Sequence, residues 1–101
     1  MKARLRYSNK VTLVHRSGEA IAVAELKVWE IGTSTYYPDG IKYSLFLVQP
    51  ESGTVLFGMD NHKPKGPHLH VNGREEPYSF TTVEDLIEDF WRLAAKRGYQ
   101  L

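Results

Sequence analysis

The sequence predicts an α+β domain, an antiparallel sheet of about five strands with one C-terminal amphipathic helix packed across it. Three observations predict it. Short segments alternate apolar and polar residues, turn residues separate them, and a helical period runs from Val83 to Ala94. The 101 residues read as a single domain over residues 1–101, large enough for one modest core and too small for a large enclosed substrate chamber. At 42% hydrophobic and 25% charged, the chain has the balance of a folded globular protein rather than a disordered one.

Residues 4–7 and 11–15 read as strand, with a break near Ser8 and Asn9. Residues 16–19 form a turn, for which Ser17 and Gly18 are suited. Residues 20–30 follow as a long strand. Its apolar parity moves from Ile21 and Val23 to Ala24, Leu26 and Val28, which predicts a bulge or a strand with two buried faces. Residues 33–40 form a loop ending in Pro38-Asp39-Gly40 turn chemistry. Residues 41–48 alternate again, residues 49–53 turn the chain, and residues 54–59 return as a hairpin partner. Short strands are expected at residues 68–71 and 78–80.

The helix carries the strongest signals. Thr81, Thr82, Val83 and Glu84 form a capping-box pattern, a Thr oxygen accepting from early amides while Glu84 reaches back. Val83, Leu86, Ile87, Phe90, Trp91 and Ala94 share one face. Glu84, Asp85, Glu88 and Asp89 gather towards the positive end of the helix dipole, and Arg92, Lys96 and Arg97 towards its negative end. Gly98 stops the helix. Trp29, Tyr43, Phe90 and Trp91 read as core or interface packing rather than a base-stacking platform.

Composition also restricts chemistry. There is no cysteine, so neither a disulfide framework nor a thiolate zinc site exists. No apolar run approaches the ~20 residues that span a bilayer, and no apolar signal core follows the basic N-terminus. A cytoplasmic protein with no membrane partner is expected. Net charge is only +1, but Lys2, Arg4, Arg6, Lys10 and Arg16 cluster without acids, as do Lys63, Lys65 and Arg74 with three histidines. Such separation gives one face the potential to attract phosphates.

The chemistry concentrates in residues 58–80. His62, His68, His70, Lys63, Lys65, Arg74, Asp60, Glu75, Glu76 and Tyr78 crowd a segment whose path Pro64, Gly66, Pro67, Gly73 and Pro77 restrict. After Pro67 the His68-Leu69-His70-Val71 run reads as extended, so both imidazoles share one face with Leu69 opposite. One chemistry is acid–base cleavage of RNA without a metal. Histidine titrates near neutral pH and can act as base or acid. His68 and His70 would move protons, Arg74 would stabilise charge, Tyr78 would orient the phosphate or assist proton transfer, and Lys63, Lys65 and His62 would bind the phosphate. Asp60, Asn61, Glu75 and Glu76 would supply polar support, through an Asx turn and a local ion pair. The other chemistry is a divalent transition metal such as zinc on His68 and His70, with His62 or Asp60 as third ligand. The nearby cations oppose it by repulsion.

Gly58-Met59-Asp60-Asn61, Lys65-Gly66-Pro67-His68-Leu69-His70, the run from Gly73 to Phe80 and the helix from Val83 to Trp91 together resemble the TumE family of toxin–antitoxin toxins. The N-terminal half is similar more loosely, as a run of strands with Trp29-Glu30 ending one of them. Met59 stands where that pattern has an aromatic. The resemblance implies a growth-inhibiting protein neutralised by a small helix-turn-helix DNA-binding antitoxin, with RNA as target by analogy to other toxins of this size. It brings no catalytic assignment. A non-enzymatic module binding nucleic acid or antitoxin through the same loop is the alternative. A sheet with one helix leaves its second face to be covered by a homodimer or an antitoxin.

Overall fold

The computed structural model describes residues 3–100. Its strands are β1 (Arg4–His15), β2 (Ile21–Glu30), β3 (Ile41–Gln49), β4 (Thr54–Asp60), β5 (His68–Val71), β6 (Arg74–Pro77) and β7 (Tyr99–Gln100). The single helix among the described residues, α1, spans Val83–Lys96. All neighbouring strands are antiparallel, in the order β6-β5-β4-β3-β2-β1-β7. The α+β class therefore holds, with seven strands in place of about five.

The differences have local causes. β1 is continuous through Ser8 and Asn9, and its irregularity lies between Leu5 and Tyr7, where a bulge sets Tyr7 opposite Val28 on the core side. β2 pairs with β3 without interruption from Val23↔Val48 to Glu30↔Ile41, so there is no bulge there. Only the face of Ala22, Ala24, Leu26 and Val28 is buried, while Ile21 is exposed and Val23 half-buried on the other. The last hairpin turns at Asn72 (φ 51°) and Gly73 (φ 76°), both left-handed, as a two-residue hairpin loop requires. That turn makes residues 74–77 the strand, and the expected strand at 78–80 does not form. Pro77, with no N–H to donate, ends it at the sheet edge. β7 closes the other edge through Val14↔Gln100 and His15↔Tyr99.

Strand alternation divides the sheet into two faces. Leu13, Ala22, Ala24, Leu26, Val28, Tyr43, Leu45, Leu47, Phe57 and Met59 point to one side and are buried beneath Val83, Leu86, Phe90 and Ala94 of α1. The Phe57 and Phe90 rings meet at 5.0 Å. Thr82 caps the helix, its side chain accepting from the Asp85 amide at 3.0 Å. The cap thus sits one residue later than the Thr81–Glu84 pattern predicts, with Asp85 rather than Glu84 bonded back, to the Thr81 hydroxyl at 2.9 Å. No helix among the described residues is long and apolar enough to cross a membrane. Among the described residues the opposite face carries no helix. Asp60, His68 and His70 stand on it.

Candidate functional site

The site is built across β4 and β5. Asp60 is the cross-strand partner of His68, and Gly58 is the partner of His70, so the three side chains share the open face while Leu69 packs against the core. Leaving β4, the chain stays tied to β3. The Asn61 side chain is buried, accepts from the Tyr43 amide at 3.0 Å and donates to the Ile41 carbonyl at 2.8 Å. The His62 amide then bonds to Asp60 Oδ1 at 3.2 Å, and the Lys63 amide to the Tyr37 hydroxyl at 3.1 Å. These bonds fix the first half of the loop before it returns as β5.

His68 and His70 converge on one carboxylate. His68 Nε2 lies 3.0 Å from Asp60 Oδ1, and His70 Nε2 lies 3.1 Å from Asp60 Oδ2. Their ring centroids are 4.6 Å apart, edge to face. His68 Nδ1 is 2.7 Å from the Gly66 carbonyl, which can only accept, so Nδ1 carries a hydrogen. Both nitrogens of His68 are thereby engaged, and a proton or a cation must stand between its Nε2 and the facing carboxylate oxygen. The two rings differ in access: the His68 side chain is 10% exposed and that of His70 31%.

Glu75, opposite His70 across the hairpin, completes the electrostatics. Its Oε1 is 3.7 Å from His68 Nε2 and 3.8 Å from His70 Nδ1, while both its oxygens lie 2.7 Å from Lys65 Nζ. The hydrogen bond from Lys65 holds the Glu75 carboxyl below its ordinary range. Asp60, His62, Lys63, Pro64, Lys65, His68 and His70 line a cavity of about 210 Å³.

Not every residue singled out in the sequence arrives there. Arg74 pairs with Val71 across the hairpin and so lies on the core side of the edge strand, 74% exposed and 3.9 Å from Glu76. Tyr78 packs against the core and donates its hydroxyl to Asp89 of α1 at 2.5 Å; burial, then that bond, raises its pKa. Neither lines the cavity, and Glu76, opposite Leu69, does not either. Asn61 is a strand tie. Asp60 moves from support to the centre, and it, not His62, completes a set of three groups whose ligand atoms lie within 4.8 Å of one another.

One contributor escaped the sequence reading. The Phe46 ring lies over Gly58 and meets the His70 ring at 5.8 Å. A Cβ at position 58 would come within 2.1 Å of that ring, so only glycine leaves room for it. A glycine inside a strand is the signal for such a close approach. Gly58→Ala is expected to cost about 1–3 kcal/mol in urea unfolding by forcing the ring aside. An unchanged midpoint would show that Phe46 has another place to go.

Comparison with known proteins adds one finding. The family model described as "Toxin TumE" matches residues 2–97, nearly the whole chain, including every residue of the cavity. No curated protein and no solved structure matches. The chain therefore belongs to the TumE toxin family, whose members are the toxin components of toxin–antitoxin systems.

Proposed function

We propose that this toxin cleaves RNA in the cavity above Asp60, His68 and His70, by acid–base catalysis without a metal. The observation that supports it is the convergence of two imidazoles on one carboxylate at the floor of a cavity walled by Lys63, Lys65 and His62. His70, the more accessible ring, gives Nε2–H to Asp60 and keeps a lone pair on Nδ1. That nitrogen takes the proton of the 2′-hydroxyl as the 2′-oxygen attacks phosphorus. The bond to the 5′-oxygen breaks, and the leaving oxygen takes a proton from protonated His62, leaving a 2′,3′-cyclic phosphate and a 5′-hydroxyl. Asp60 steadies the resulting His70 imidazolium, as the carboxylate of a catalytic triad does. His68, held at both nitrogens, positions Asp60 and adds positive charge. Lys63 offsets the charge that develops on the phosphorane, and Lys65 joins it by exchanging Glu75 for the phosphate.

The test is purified protein on single-stranded RNA in EDTA, where cleavage with 2′,3′-cyclic phosphate ends is expected. RNA that is bound but left intact, with or without added metal, would reject the reaction and favour a binding module.

A second reading is favoured by the His68 tautomer. Pinning Nδ1 to Gly66 leaves the Nε2 lone pair free for a divalent transition metal such as zinc, shared with His70 Nε2 and Asp60, and an outer hydrogen bond of that kind is usual for metal-ligating histidines. The cations expected to repel a metal are less of an obstacle here, since Lys65 is neutralised by Glu75 and Arg74 lies elsewhere. Cleavage lost in EDTA and restored by zinc would select this reading. The small helix-turn-helix antitoxin remains the proposed partner, neutralising the toxin by covering the open face.

A further inference from the structure

We propose that Trp29 is a stacking subsite for one nucleobase of single-stranded RNA, its flanking phosphates held by Lys42 and Lys63. This rests on the RNA reading for its ligand but not on any step of cleavage. Trp29 follows Val28 on β2, and because Val28 is buried under the helix, alternation sends the indole to the open face, where it is half-buried. Lys42 is its cross-strand partner on β3. Trp29, Ile31, Tyr37, Lys42, His62 and Lys63 line a cavity of about 350 Å³ to which no carboxylate among the described residues contributes. An aromatic face beside cations, without an anion, is the composition that binds single strands: bases stack and phosphates pair with the charges.

The position is as informative as the composition. His62 and Lys63 belong to both this cavity and the one above Asp60, His68 and His70. The bond from the Lys63 amide to the Tyr37 hydroxyl holds that shared wall in place. A strand whose phosphate sits over His70 therefore continues past Lys63 onto Trp29 without leaving the open face. The apolar surface of Trp29 is a recognition surface here, in contrast to the buried packing of Tyr43 and Phe90.

The experiment is fluorescence anisotropy with a labelled, short, mixed-sequence 2′-O-methyl oligonucleotide, which cannot be cut. Trp29→Leu keeps apolar bulk but loses the flat ring, and should weaken binding roughly tenfold; Trp29→Phe should stay close to wild type. Urea midpoints of both variants show that the fold is retained. Equal affinity for wild type and Trp29→Leu would overturn the proposal. So would loss of antitoxin binding by Trp29→Leu with oligonucleotide affinity unchanged, which would make this a protein-docking surface. The two readings fail separately. Trp29-dependent binding with no RNA cut removes the cleavage mechanism alone, while RNA cut normally by a Trp29→Leu protein of unchanged affinity removes the subsite alone.

Discussion

His70→Ala is expected to reduce RNA cleavage by about 10²–10⁴-fold, the usual contribution of a positioned general base. Initial rates on labelled single-stranded RNA measure it, and growth arrest on expression gives the cellular counterpart. The ring is about one-third exposed and lies on the open face, so its removal should leave the fold intact and the urea midpoint nearly unchanged. Asp60→Asn should have a comparable effect for a different reason: the amide keeps the shape but loses the charge that steadies the imidazolium. His68→Ala acts indirectly, since it frees one side of Asp60, and its loss of rate should be smaller than that of His70→Ala. Full activity in His70→Ala would exclude this residue as the base. Larger damage from His68→Ala than from His70→Ala, at equal stability, would reverse the roles assigned to the two rings.

Phe90→Ala is expected to remove about 3–5 kcal/mol of stability. Phe90 is fully buried at the middle of α1, against Phe57 at 5.0 Å and Trp91 at 5.2 Å. Domains of this kind are stable by about 5–15 kcal/mol in total, so the variant should sit close to unfolding. Urea denaturation followed by circular dichroism reads the change. A loss below about 1 kcal/mol would mean that neighbouring side chains refill the space. Because the reactive groups occupy the face away from α1, whatever fraction stays folded should retain its intrinsic cleavage rate. The two substitutions thus separate chemistry from stability.

The helix, most strands and the shared face of His68 and His70 were legible because each follows from residue spacing alone. What lay beyond the sequence needed register. Arg74 looks adjacent to the histidines in the chain, yet a two-residue turn at Asn72-Gly73 sets it opposite Val71 and so on the other face. That Asn-Gly pair is itself a hairpin signal, one that places the last strand at 74–77 rather than 78–80. The central place of Asp60 depends on β4 meeting β5 with Asp60 opposite His68, which no local pattern encodes. Tyr78 was drawn away by Asp89, on a helix whose docking angle the sequence does not state. β7 is two residues long and pairs only because α1 returns the chain to β1, so it carries no periodicity to detect.

The strand order has a kinetic consequence. From β1 to β6 each strand pairs with the one before it, so the sheet can grow by closing successive hairpins, each a short loop. β7 alone must find a partner near the opposite end of the chain. The segment carrying Asp60, His68 and His70 can therefore reach its final pairing before the C-terminus is in position. Until α1 settles, however, Leu26, Leu45, Leu47 and Phe57 face water as a broad sticky surface. In this chain the docking of the helix protects the nascent sheet from self-association more than it governs assembly of the reactive groups.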